Sequence, residues 1–232
     1  MELAVNVRGP EFDQISRCIP NDHARPTQAL DLLEKAGCVD PVRFLDLGCG
    51  EGGAVDQARA FFPNAAYIGV DIEGSPEVDA RSRKDAIFKT YDGKNLPFKT
   101  ETFDIIFSKQ VFEHIRHPDR VAEEAHRVLK TGGSFIGSMS NLEPYHSYSI
   151  FNFTPYGVFR LLEDNGFYIQ EMRPGPEGLA VITRQLTMRR LSIGAVYPVI
   201  EMAARLKGWD VQMRNYLKLR FSGQITFRAN KL

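Results

Sequence analysis

The stretch that decides the fold is Phe44-Leu-Asp-Leu-Gly-Cys-Gly-Glu-Gly-Gly53. Val42, Phe44, Leu45 and Leu47 form a short apolar run of the length a buried parallel strand needs. Asp46 interrupts it near its end, and glycines follow at 48, 50, 52 and 53. Glycine lets a tight turn take positive φ and lets the backbone approach a ligand closely. A strand, a glycine-rich turn and a helix in succession place a nucleotide-type ligand at the carboxyl edge of an open sheet.

A bare G-x-G-x-x-G is a weak signal that dinucleotide-binding proteins share. Asp46 separates the readings. A carboxylate two residues before the first glycine disfavours a pyrophosphate, which seeks amide N–H groups. It suits a ligand carrying an ammonium and a sulfonium. In this stretch the chain resembles the class I S-adenosylmethionine (SAM) methyltransferases. The resemblance implies that Asp46, Gly48, Cys49 and Gly50 build one wall of a SAM site.

Downstream the pattern continues. Residues 54–62 read as a helix and 66–71 as a second strand ending in Asp71, about twenty residues past the loop, where an acid meets ribose hydroxyls in such folds. A carboxylate accepts two hydroxyl hydrogen bonds at once. The family resemblance assigns Asp71 to the ribose and the next residue, Ile72, to the adenine face. Residues 84–90 read as the third strand, ended by Tyr91-Asp92-Gly93. Asp92 resembles the acid that accepts from the adenine amino group, although Asp-Gly is also a good turn pair by itself. Residues 102–108 form the fourth strand, with Ser108 at its end beside the expected reactive part of the cofactor. Phe112-Glu-His-Ile115 and Leu129-Lys-Thr-Gly-Gly133 resemble further family segments, with Thr131 replacing the usual proline.

A helix is expected over 120–129 and a fifth strand over 134–138. Residues 141–154 read as a polar, aromatic loop, and Thr154 as the N-cap of a helix with Pro155 in its first turn. The sixth strand is expected at 167–172 and the last at 223–227, antiparallel if the resemblance holds. The fold class expected is therefore α/β, a doubly wound, Rossmann-like, seven-stranded, mostly parallel sheet. Three regions are expected: an N-terminal helical segment over 1–40, with a helix at 27–36 that could lie over the cofactor; a SAM-binding core over 41–178; and a helical insertion with the final strand over 179–232.

The 232 residues carry 29 basic and 29 acidic side chains, so no nucleic-acid partner is expected. Three cysteines without a C-x-x-C pair fit a reducing cytoplasm. Residues 1–10 lack the apolar core of a signal peptide. Residues 179–219 are basic and apolar at helical spacing, which leaves three roles open besides plain packing: a substrate cover, a dimer helix or a membrane-surface helix. No metal centre is expected, because Glu113, His114, His117 and His126 match no strong ligand spacing. No G-x-S-x-G elbow marks a hydrolase.

A hydroxyl acceptor would need a base. His114 and His146 are the candidates, because imidazole titrates near neutral pH. The expected function is methyl transfer from SAM to a small molecule, at an oxygen of a sugar, phenol or acid. The rivals are a membrane-associated lipid or quinone methyltransferase and a SAM-binding partner protein without catalysis.

Overall fold

The computed structural model describes residues 8–144 and 146–232. Seven strands form one sheet: β1 (Arg43–Leu47), β2 (Ala66–Ile72), β3 (Ile87–Tyr91), β4 (Phe103–Lys109), β5 (Leu129–Ser140), β6 (Phe167–Pro174) and β7 (Gln224–Lys231). Their spatial order is β3-β2-β1-β4-β5-β7-β6. The pairs among β1 to β5 are parallel, and β7 runs antiparallel to both β5 and β6. The expected sheet is therefore present, with its last strand reversed. The order turns back between β1 and β4, and that crevice is where an open α/β sheet takes its ligand.

Alternation along β1 shows why both sheet faces are covered. Phe44 packs with Val42, Tyr67, Ile105, Phe107 and Ile136 on one face. Leu45 and Leu47 pack with Ile106, Phe135 and Met139 on the other. A strand buried on both sides reads as a nearly continuous apolar run, and Asp46 is the buried exception in β1.

The helices are α1 (Phe12–Ile15), α2 (Val55–Phe61), α3 (Pro76–Ala80), α4 (Pro118–Val128), α5 (Pro155–Asp164), α6 (Gly178–Leu186), α7 (Val196–Lys207) and α8 (Val211–Phe221). Thr154 caps α5, its hydroxyl accepting from Gly157 N–H at 3.0 Å. The α4 stripe Val121, Ala122, Ala125 and Val128 is fully buried.

Two elements differ from expectation. Residues 27–36 give a 3₁₀ helix, Ala29–Lys35, rather than an α-helix. Its Ala29, Leu32 and Leu33 pack in one cluster with Phe44 and Val55, so it braces the core. β5 begins at Leu129, five residues ahead of the expected start and before Gly132 and Gly133. Gly132 takes φ +79° inside the strand, and the register against β4 shifts there between Phe103 and Ile105. An irregularity of this kind lets a strand continue through residues that read as a turn. The helical insertion expected from residue 179 onward consists of α6, α7 and α8.

A buried ion cluster ties the N-terminal segment to β6. Arg173, 2% exposed, donates two bonds to Asp22 and one to Glu171 at 2.5 Å, while Lys35 and Arg228 also reach Glu171. Among the described residues no helix is long and apolar enough to cross a membrane.

Candidate active site

The glycine turn leaves β1 and is pinned by β2. Gly48 and Cys49 both donate their amides to the carbonyl of Val70, at 2.8 and 3.2 Å. Gly48 sits at φ +75°, and a Cβ there would stand 2.3 Å from Cγ2 of Val111, the second residue after β4. The absence of a side chain at position 48 thus lets the segment after β4 close onto the turn across the β1/β4 crevice.

Asp71 lies at the other wall. Its Oδ2 accepts from Gly50 N–H at 2.6 Å and its Oδ1 from Ile72 N–H at 2.7 Å. A carboxylate has about four lone-pair sites, so each oxygen keeps one for a ligand hydroxyl. Burial raises the Asp71 carboxyl above its usual range, against the two backbone bonds that lower it. Arg81 closes the turn from outside, donating to the Gly50 carbonyl through Nε at 2.8 Å and stacking on Phe88.

Asp46 is fully buried under the turn and accepts from Tyr67 Oη at 2.5 Å. Burial pushes its carboxyl up to about 7, and only the Tyr67 hydroxyl and Arg81 work the other way. The acid is in place beneath the turn, but its charge is poised rather than fixed. Cys49 packs against Gly69, and burial pushes its thiol up to about 12. Its amide and carbonyl are both used within the fold, so it contributes turn shape and no free polar group.

Ile72 is exposed, and its Cδ1 lies 3.3 Å from where a Gly93 Cβ would stand. The two residues therefore share one apolar ledge. Asp92 beside it is bound to Lys94 N–H, Asn95 N–H and the Asn95 amide, and these bonds hold its carboxyl down at about 2. These bonds make it the turn residue, with an ionised carboxylate beside the ledge.

Past β4 the backbone is unusual. Gln110 takes φ +57°, a left-handed conformation uncommon for a residue with a side chain. Its Nε2 and the Ser108 Oγ are buried without a hydrogen-bond partner among the described residues. Buried polar atoms are rarely left unpaired, so orphans at the crevice fit a ligand-binding site. A 3₁₀ turn, Phe112–His114, follows. His114 and His146 meet edge to face, with ring centroids 5.2 Å apart. The residue the sequence reading left out of its site is Glu113. It is wholly buried, with Oε1 accepting from Ser140 Oγ at 2.8 Å and Oε2 without a partner among the described residues. Burial raises its carboxyl above the usual range. Nothing in the local pattern distinguishes it from a surface acid of a short turn.

Two surface cavities lie elsewhere. One, of about 540 Å³, is lined by Asp22, Arg25, Glu201, Arg214 and Lys218, but Glu201 already pairs with Arg214 and Lys218. The other, of about 490 Å³, lies by Gly37, Gly132 and Lys231.

Comparison with known proteins agrees with this geometry. Residues 45–137 match the family model described as a methyltransferase domain. A sterol 4-C-methyltransferase of Caenorhabditis elegans is 29% identical over 138 residues, which is 55% of this chain and 38% of that protein. A malonyl-[acyl-carrier protein] O-methyltransferase of Geobacter sulfurreducens is 32% identical over 110 residues, 46% of this chain and 41% of that protein. The matches thus span less than half of these relatives. Among solved structures, the [4+2]-cyclase SpnF superposes with a TM-score of 0.62 at 19% identity, covering 87% of this chain and 79% of that one. The phosphoethanolamine N-methyltransferase 2 of Haemonchus contortus, solved with SAM, gives 0.57 at 20% identity, covering 88% and 52%. The turn pinned between Val70 and Asp71, the strand order and the family match together give residues 45–137 the build of a SAM-dependent methyltransferase domain, with SAM as its cofactor.

Proposed function

We propose that the protein transfers a methyl group from SAM to an oxygen of a small molecule, a sugar, phenol or acid. The observation that carries this reading is the pair His114 and His146, set with Glu113 at the carboxyl ends of β4 and β5, directly after the Val111 contact with Gly48. SAM supplies a methyl already activated on a sulfonium sulfur. The residues of the chain then have four tasks. Asp71 accepts the ribose hydroxyls. The Ile72 and Gly93 ledge seats the adenine, with Asp92 as acceptor at its rim. Asp46, Gly48, Cys49 and Gly50 shape and charge the floor, and Ser108 lies at the crevice.

Holding an acceptor in line can supply about 7–11 kcal/mol of the barrier. An alcohol oxygen also has to lose its proton, and a neutral imidazole of His114 or His146 within reach of it would take that proton. The two relatives above act on a sterol and on a malonyl-carrier protein by their names, so the family gives no single acceptor. SpnF, a cyclase of this fold, shows that the fold alone does not dictate methyl transfer. The test is incubation with isotopically labelled SAM and a cell extract, followed by identification of the labelled product. SAM binding without transfer to any acceptor would favour the partner-protein reading instead.

A second reading, a lipid or quinone acceptor met at a membrane surface, is favoured by one feature. Leu186, Met188, Leu191, Ile193, Met202 and Leu206 are all exposed on α6, α7 and their connection. Arg184, Arg189, Arg190, Arg205 and Lys207 are interspersed among them. Apolar residues rimmed by cations suit an anionic lipid surface. Sedimentation with vesicles decides it. Binding to anionic but not neutral vesicles, lost in a Leu186→Ser/Met188→Ser variant, supports this reading. Absence of binding to both removes it.

A further inference from the structure

We propose that Glu113, His114 and His146 bind a divalent first-row transition ion, such as zinc, and that the ion selects acceptors with two adjacent oxygen functions. The second half rests on the methyltransferase reading above. The first half stands on geometry alone. One ligand atom from each of the three side chains lies within 4.8 Å of the others. Glu113 and His114 are neighbours in sequence, but the third member, His146, comes from the loop after β5, and the nearby His117 and His126 are not in the group.

Charge is the first argument. Glu113 is wholly buried and its Oε2 has no partner among the described residues. Its Oε1 and the Glu143 carboxylate both lie within hydrogen-bond distance of the same Ser140 Oγ, at 2.8 and 2.9 Å. A serine hydroxyl has one proton to give. Two carboxylates therefore converge on one donor, and among the described residues neither has a Lys or Arg partner. A buried carboxylate left in this state is costly, and a cation is the group that relieves it.

Ligand orientation is the second. Nδ1 of His146 is 3.2 Å from the Pro144 carbonyl oxygen. With its proton on Nδ1, the ring keeps a lone pair on Nε2 free for a ligand bond. A metal-binding imidazole almost always donates its other ring N–H in this way, to a carboxylate, a backbone carbonyl or water. Ser140 does the equivalent for Glu113. The loop that carries His146 is itself fastened over the site, because Ile150 and Phe151 both donate their amides to the Glu113 carbonyl, at 2.6 and 3.1 Å.

Two imidazoles and one carboxylate suit zinc, iron, cobalt or nickel better than calcium or magnesium, and they leave coordination positions open. A vicinal diol, a catechol or an α-hydroxy acid would fill two of those positions. A bound ion would favour loss of the hydroxyl proton to solvent water. The oxygen would then form its bond to the methyl carbon as the carbon–sulfur bond breaks, with that bond's electron pair staying on sulfur. This assigns the histidines to the ion in place of direct proton transfer.

The test uses the full chain, free of any affinity tag and stripped with a chelator. Zn²⁺ is titrated by calorimetry, Co²⁺ by its visible absorption, and SAM binding is measured on the same samples. The expected result is saturable uptake of about one ion per chain. His114→Ala, His146→Ala and Glu113→Gln should each weaken it by at least roughly 10- to 100-fold while still binding SAM, which shows that the variants are folded. No uptake by the wild type overturns the site, and so does uptake that survives in both histidine variants. Ion uptake by a wild type that fails to bind SAM would uphold the ion site and sink the cofactor reading, so the two failures are distinguishable.

Discussion

Asp71 Oδ2 accepts from the Gly50 amide at 2.6 Å, and this bond fastens the glycine turn to the end of the neighbouring strand. The same carboxylate is the proposed ribose acceptor, so the residue that shapes the turn is also the one assigned to the ligand. Asp71→Ala should remove SAM binding in calorimetry. It should also lower stability in urea by about 1–3 kcal/mol, because the Gly50 N–H loses its charged acceptor. Asp71→Asn keeps one acceptor oxygen, so it should retain more stability than Asp71→Ala. Wild-type affinity for SAM in the Ala variant would contradict the assignment.

Asp46 gives a pH dependence with a definite sign. Its folded-state carboxyl titrates at about 7, because burial outweighs the Tyr67 hydrogen bond. An unfolded Asp titrates near 4. The folded state therefore holds more protons between about pH 4 and 7, and its stability without ligand falls as pH rises through that window. Asp46→Asn should flatten this slope in unfolding measurements across about pH 4 to 7. A cationic ligand favours the ionised acid, so SAM affinity should rise over the same range. In Tyr67→Phe the loss of a bond that lowers the Asp46 carboxyl should move both effects to higher pH. Affinity independent of pH in the wild type would remove Asp46 from the binding of SAM.

Much of this site was legible because its signals are local. A strand ending in glycines, an acid at the end of β2 and an Asp-Gly after β3 each report on the backbone they occupy. Ile72 and Gly93 meet because β2 and β3 pair in register, Ile72 opposite Tyr91. What was not legible is long-range or conformational. Tyr67 reads as a core aromatic, and only the alternation that places it over Phe44 brings its hydroxyl to Asp46. Gln110 takes positive φ without the glycine that would announce it. Glu113 gains its importance from Ser140 and His146, which lie in β5 and the loop beyond. The 3₁₀ helix Ala29–Lys35 shows the same limit, since its apolar spacing fits either helix type and packing decides between them.

Gly48 and Val111 form a steric pair that a double-mutant cycle can isolate. Gly48→Ala places a methyl 2.3 Å from Val111 Cγ2 and an L side chain at φ +75°. The left-handed conformation alone costs about 1–2 kcal/mol, and the clash adds to it. Val111→Ala should remove the two methyl contacts and leave a milder one to its Cβ, at 2.9 Å, together with the conformational cost. The double variant should then be more stable than the sum of the two single effects by about 0.5–3 kcal/mol. Exact additivity would mean that the segment after β4 does not rest on the turn.

Arg173 predicts the opposite pH behaviour from Asp46. Its guanidinium holds the Asp22 carboxyl far below the usual range through paired hydrogen bonds. Burial raises Glu171, but Arg173 and Lys35 outweigh it and hold this carboxyl low as well. Carboxyls depressed in the folded state contribute stability above their unfolded values near pH 4, and that stability is lost as pH falls below it. Arg173→Ala should destabilise the protein by about 3–5 kcal/mol at neutral pH, because Glu171 stays buried with part of its charge uncompensated. Its loss of stability between about pH 5 and 3 should be shallower than the wild type's. The double variant Arg173→Met/Glu171→Gln removes both charges and should recover part of the loss. SAM affinity should stay near wild type in both, since the cluster joins the N-terminal segment to β6 and touches no residue of the glycine turn. A steep acid limb retained in Arg173→Ala would show that the proton uptake comes from other carboxylates.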